Sequence, residues 1–165
     1  MANFSFDIVS DFDRGEMNHA FDQVQRELTN RYDFKGTSAA VEWLDGDKNG
    51  LKVTGGNDYH INTIIDMVRK KLAKRGLSQK VLDTSKEAVT SNLKITKDVP
   101  FKQGLDQEKA KKITKLIKEK QPKVKTQIQG QEVRVISGKK DELQAAMQLL
   151  KNTDFDFPIN FTNYR

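Results

Sequence analysis

KVKTQIQGQEVRVISGKK, residues 123–140, reads as two short strands folded back at Gly130. Alternation along a strand sends neighbouring side chains to opposite faces. It predicts Val124, Ile128, Val133 and Val135 on one face, and Lys125, Gln127, Gln129 and Arg134 on the other. The stretch closes on Ser137-Gly138-Lys139-Lys140, where a helix is expected to begin. A sheet face made of amides and cations suits phosphates and base edges better than a protein core. Nucleotide or RNA binding is therefore the first functional expectation.

Working outward, Leu105-Asp106 opens a helix with Ala110, Ile113, Leu116 and Ile117 inward, ending before Pro122. An extended segment with Leu93, Ile95, Val99 and Phe101 precedes it. A further helix stripe of Leu143, Ala146, Met147 and Leu150 and a last strand over 159–164 follow it. The first half repeats this order. Phe4, Phe6 and Ile8 alternate with Ser5, Asp7 and Val9 as a strand, and Asp13 with Glu16 has capping-box spacing before Met17, Ala20, Phe21, Val24 and Leu28. Strands over 39–44 and 51–54 flank the turn-rich loop DGDKNG. Asn57 caps a helix with Ile61, Ile64, Ile65, Val68 and Leu72 inward, ending at Arg75-Gly76. A short strand around Lys80–Leu82 completes the series.

The pattern predicts an α+β chain of two ferredoxin-like βαββαβ domains in tandem, their antiparallel sheets covered by helices on one face. The expected domains are residues 1–88 and 89–165, with the polar stretch Asp83–Asn92 as the junction. Strand pairing is not set by chain order, so the N-terminal strand has a second place open to it, in the sheet of the second domain. Each half alone has a thin core.

The net charge of +6 divides unevenly between these halves: 13 Lys+Arg against 14 Asp+Glu in 1–88, and 16 against 9 in 89–165. A basic second half favours polyanions; a Lys-rich solubilising surface is the bland reading. Cysteine is absent, which excludes disulfides and thiolate metal sites, and His19 and His60 are far apart. No metal or other cofactor is expected. No window approaches a membrane span, and no leader pattern follows Met1, so a cytoplasmic protein is expected.

Lys94 and Thr96, on the first strand of the second domain, are expected to join Lys125, Gln127, Gln129 and Arg134 on its open face. Lys111, Lys115 and Lys118 form a ridge on the third helix, either phosphate-tracking or merely solvated. Lys139 and Lys140 sit at a helix start, where free amides attract phosphate, although Gly130 lies too far upstream for a P-loop. Arg31-Tyr32-Asp33-Phe34-Lys35 offers rings for stacking or for closing a core. Asp11 and Asp13 read as capping residues more readily than as a catalytic pair.

Taken together, Ser5-Phe6-Asp7-Ile8-Val9-Ser10, Arg31-Tyr32-Asp33-Phe34-Lys35, Lys74-Arg75-Gly76, Lys102-Gln103-Gly104-Leu105, Gln127-Ile128-Gln129-Gly130, Val133-Arg134-Val135 and Asn163-Tyr164-Arg165 resemble the YajQ family, in order and over the whole chain. The resemblance implies small bacterial cytosolic proteins with tandem ferredoxin-like, RNP-like domains. It implies nucleotide binding, with tRNA, GTP and cyclic di-GMP as the associated ligands, and no settled catalytic residues. It adds Lys102 and Gln103 to the candidate contacts. RNA-recognition sheets normally present aromatic rings on their central strands, whereas Lys94, Thr96, Glu132 and Arg134 stand at the matching positions here. Recognition then leans on phosphates and amide hydrogen bonds.

The expectation is a binding protein without catalytic activity, taking nucleotide or RNA, with a protein partner under ligand control as a further reading. The alternative from another class is a Mg²⁺-dependent nuclease or nucleotidyl transferase using Asp7, Asp11 or Asp13.

Overall fold

The computed structural model describes residues 3–46 and 48–165; Met1, Ala2 and Asp47, the last in the DGDKNG loop, lie outside the described residues. In chain order the elements are β1 (Phe4–Val9), α1 (Arg14–Asn30), β2 (Ala40–Trp43), β3 (Gly50–Gly55), α2 (Asp58–Lys74), β4 (Val89–Ser91), β5 (Lys94–Pro100), α3 (Gln107–Lys120), β6 (Lys125–Gln129), β7 (Glu132–Ser137), α4 (Lys140–Asn152) and β8 (Asn160–Thr162). Helix boundaries follow local chemistry. The side chains of Asp13, Asn57 and Asp106 accept from the amides of Glu16, His60 and Lys109, satisfying donors that an isolated first turn leaves open. The second helix stops at Arg75, and Gly76 follows at φ +75°, a left-handed position that suits glycine.

The strands assemble into two four-stranded antiparallel sheets, in the orders β6-β7-β1-β8 and β2-β3-β5-β4. The chain divides into two compact units accordingly. One is split, Met1–Asp11 with Gln103–Arg165; the other, Phe12–Lys102, is inserted within it. In the split unit, β1, α3, β6, β7, α4 and β8 form a βαββαβ series whose strand order is ferredoxin-like. The inserted unit has the same strand arrangement with β5, last in its chain order, in the place that β1 holds in the other. The chain is thus α+β with two ferredoxin-like units, whose opening strands are exchanged.

The division expected at residue 88 is corrected by this pairing. Val99 and Ile95 of β5 stand opposite Leu51 and Gly55, while Phe6 and Ile8 of β1 stand opposite Val135 and Val133. Each opening strand meets an apolar face in the other half of the chain, and the crossovers fall at 11/12 and 102/103. The strand expected at Lys80–Leu82 is a 3-10 turn, Gln79–Val81, started by Ser78, whose hydroxyl accepts from the Lys80 amide. Val81 and Leu82 are buried in the core, and the edge place belongs to β4, inside the stretch expected to be a junction.

Each unit has its own core. Met17, Phe21, Ile64, Leu72, Val53 and Val99 belong to that of the inserted unit. In the split unit Phe6, Ile8, Val133 and Val135 pack with Ala110, Ile113 and Ile117 of α3 and Leu143, Ala146 and Leu150 of α4. Both helices therefore cover one face of its sheet. Between β6 and β7, Gly130 at φ +61° opens a two-residue turn, a backbone that glycine adopts without strain. Among the described residues no helix is long and apolar enough to cross a membrane.

Candidate functional site

The face of the split unit's sheet that points away from its helices follows from the register. It carries Lys125, Gln127 and Gln129 on β6, Glu132, Arg134 and Ile136 on β7, Ser5, Asp7 and Val9 on β1, and Asn160 and Thr162 on β8. One row runs straight across the four strands: Gln127, Arg134, Asp7, Thr162. Lys125, Gln127 and Gln129 are exposed on the edge strand. Gln129 Nε2 donates to Gln127 Oε1 at 3.3 Å, which holds both amides along the strand.

Asp7 is the buried group of this face, only 2% exposed. Arg134 Nε donates to its Oδ1 at 2.9 Å and Nη2 to its Oδ2 at 3.5 Å. Asn163 Nδ2 donates to Oδ2 at 2.9 Å. The Arg134 hydrogen bond holds the Asp7 carboxyl below its ordinary 3.8, against burial, which pushes it up, and with help from Asn163. A buried carboxylate persists where it is paired and hydrogen-bonded. Arg134, with 31% of its side chain exposed, answers this buried charge first.

Asn163 reaches Asp7 through a bulge. The β1–β8 ladder runs Val9↔Asn160, Ile8↔Phe161, Asp7↔Thr162. Ser5 then exchanges both backbone hydrogen bonds with Arg165, at 3.1 and 3.0 Å, one residue later than regular pairing would place it. The extra residue bends through Asn163 at φ +55°, a conformation Asn tolerates. Such bulges redirect side chains. This one directs the Asn163 amide to Asp7.

The other expected contacts are dispersed. Lys94 and Thr96 lie on β5 in the inserted unit's sheet, opposite Ser91 and Thr54, and not on the sheet that carries Lys125, Gln127, Gln129 and Arg134. Lys102 ends the inserted unit, its amide donating to Val81 O. The Gln103 side chain donates to Asp11 Oδ1 at 2.9 Å. Lys111 is exposed on α3, on the helical side of the sheet from Lys125.

At the start of α4 the Lys139 amide donates to Ser137 Oγ, which in turn donates to the Glu142 carboxylate. Asp141 and Glu142 stand in the first turn, and no side chain caps the amides of this helix start. The Lys140 ammonium sits 5.3 Å from the centre of the Phe4 ring.

A family model, described as nucleotide-binding protein YajQ-like, matches residues 4–165. The chain belongs to the YajQ family. It is 45% identical over 166 residues to a protein of Nocardioides sp., covering all of both chains. It is 42% identical to one of Thermobifida fusca, over 99% of each chain, and 45% identical to one of Trichodesmium erythraeum, over 98% of this chain and 97% of the relative. Each of these relatives is named a nucleotide-binding protein.

Two further expectations change in this YajQ-family chain. Ile128, expected in the core, is 43% exposed, because β6 is an edge strand and the cover at its end is incomplete. The charge asymmetry disappears once the strands are assigned to their sheets. The split unit has 13 Lys+Arg against 10 Asp+Glu and the inserted unit 16 against 13, so each carries +3. Of Arg31–Lys35, Arg31 pairs with Asp33 at 2.8 Å, Phe34 is buried against His60, and Tyr32 is 90% exposed. Sequence reasoning missed Asp7 as the partner of Arg134 and Asn163 as a second donor to Asp7. The outward register of Asp7 beside Ser5 and Val9 was the one local signal for it.

Proposed function

We propose that the chain is a cytosolic nucleotide-binding protein without catalytic activity, taking a ligand of the RNA, GTP or cyclic dinucleotide class at the sheet of its split unit. The observation that carries this reading is the exposed row Lys125, Gln127, Gln129 on the edge strand, in a chain matched end to end by relatives named nucleotide-binding proteins. Lys125 supplies the charge for a phosphate, and the two amides supply paired donors and acceptors for a base edge. Arg134 backs the row; its charge is largely answered by Asp7, so it orients the surface more than it attracts phosphate. The row displays no aromatic ring, which favours a salt-sensitive contact built on phosphate.

The enzymatic alternative would use Asp7, Asp11 or Asp13 to hold Mg²⁺. Asp7 is held by Arg134 and Asn163, Asp11 accepts from Gln103, and Asp13 caps α1. Each already has a structural task, which supports the binding reading. A thermal-shift panel over GTP, ATP, cyclic dinucleotides and short RNAs tests the proposal: at least one nucleotide class should raise the unfolding temperature, and a flat response throughout would refute it. Incubating labelled RNA or GTP with Mg²⁺ tests the absence of chemistry, and turnover abolished by chelation would overturn that part.

A further inference from the structure

Residues Lys140, Leu143, Gln144 and Met147 recur at intervals of three and four along α4 and so share one stripe of that helix. Opposite them stand the start of β1 and the segment after β8, and between the two lies a pocket of about 380 Å³. That volume is in the range of small-ligand sites. The pocket lies within the split unit, on the β8 side of the sheet. Lys125, Gln127 and Gln129 lie on the opposite edge, two to three strand spacings away, or about 10–14 Å.

The bulge at Asn163 makes this pocket. In a regular ladder Tyr164 would stand opposite Ser5 and point away from the helices. The extra residue moves Arg165 into that place and turns Tyr164 to the helical side, where its ring centre is 6.4 Å from that of Phe6. Tyr164 is nevertheless 63% exposed, so one face of a ring is offered to solvent at the mouth of a pocket floored by Leu143 and Met147. Such a ring stacks on a base, and methionine adapts to flat apolar surfaces.

Charge completes the pattern. Lys140 lines the pocket from α4, and among the described residues no carboxylate side chain does so. Glu142, one turn away, is bonded to Ser137. Arg165 also lines the pocket but pairs with Ser5 and stands on the Asp7 side of the sheet, where its field reaches Asp7, which leaves Lys140 as the cation of the pocket. Gln144 adds a polar side chain to the wall.

We propose that this pocket binds a single nucleotide unit, its base against Tyr164 and Met147 and its phosphate at Lys140. The assignment rests on the nucleotide-binding reading above and adds a second location to it. The unit is supplied either as a free mononucleotide or as the end of a short RNA.

The test is isothermal titration of the full chain with AMP, GMP, adenosine, inorganic phosphate and a short oligoadenylate, for wild type, Tyr164→Ala, Lys140→Gln and the control Lys52→Gln, with Lys125→Gln added for the oligoadenylate. AMP or GMP should bind more tightly than adenosine or phosphate alone. Tyr164→Ala should weaken mononucleotide binding about tenfold, Lys140→Gln severalfold, and Lys52→Gln, at an exposed position on β3 of the inserted unit, not at all. Oligoadenylate bound more tightly than AMP, with the same sensitivity to Tyr164→Ala, assigns the unit to an RNA end; equal or weaker binding assigns it to a free mononucleotide. In wild type, needing no variant, the Met147 methyl resonance should shift on adding AMP.

Mononucleotide binding unchanged in Tyr164→Ala and Lys140→Gln, or a Met147 methyl that does not move, overturns the pocket and leaves the nucleotide-binding reading standing. The same holds if RNA binds in a Lys125-dependent way and AMP and GMP do not bind. Binding of phosphate as tight as that of AMP also overturns it, because no base is then recognised. Failure of every probe brings down both readings.

Discussion

Arg134 Nε donates to Asp7 Oδ1 at 2.9 Å, joining residues 127 positions apart in the chain. The pair stands in the middle of the sheet face that carries Lys125, Gln127 and Gln129, and Asn163 closes it from the β8 side. The strand exchange brings these partners together, since β1 reaches β7 only by leaving the half of the chain in which it begins.

Asp7→Ala should destabilise the protein by about 1–3 kcal/mol, because Arg134 and Asn163 both lose a buried acceptor. Urea unfolding followed by circular dichroism measures it. Asp7→Asn should cost less, since the amide oxygen still accepts one hydrogen bond. Equal stability of wild type and Asp7→Ala would show that the pair contributes nothing to the fold.

Acid should expose the same contact. The Asp7 carboxyl lies below its ordinary 3.8 in the folded chain, so its contribution is fully present above the unfolded value and is lost as pH falls through the folded one. The stability gap between wild type and Asp7→Asn should therefore hold steady near neutral pH and shrink below 3.8. Comparing the two proteins isolates Asp7 from Asp33 and Asp83, whose carboxyls are lowered as well. A gap that widens on acidification would contradict the assignment.

Salt dependence separates Lys125 from Arg134. For RNA binding, log affinity should fall linearly with log salt. Lys125→Gln should reduce that slope by about one phosphate contact, and Arg134→Gln by less, since Asp7 already answers its charge. A larger loss for Arg134→Gln would place the phosphate on β7.

Fragments test the exchange of strands. Residues 12–102 hold a complete four-stranded sheet and its core, and should unfold cooperatively as an isolated fragment. Residues 1–88 lack β5, the central partner of β3, and should not. A cooperative transition in 1–88 and none in 12–102 would reverse the assignment.

Much of this fold was readable from local signals. Asp13, Asn57 and Asp106 mark helix starts, Gly76 and Gly130 mark turns, and the stripes of all four helices follow their spacing. What local pattern could not supply was which sheet each opening strand joins. Phe6 and Ile8 alternate identically whether they meet Val133 and Val135 or strands of their own half, and only long-range packing decides. That one ambiguity carried the rest with it. It hid the Asp7–Arg134 pair, placed Lys94 on the wrong sheet, and produced a charge asymmetry that the assembled units do not have. The bulge at Asn163 was equally hidden, because an extra residue in a ladder shows only once both strands are paired.

The most direct test of the central claim is amide chemical-shift mapping on the full chain, titrated with whichever nucleotide or short RNA gives the largest thermal shift. Binding at the sheet of the split unit predicts that Lys125, Gln127 and Gln129 shift with a common saturation curve, and that Gln127→Ala alters the preference among bases. Shifts confined to residues 12–102, with the β6 amides unmoved at saturation, would contradict it.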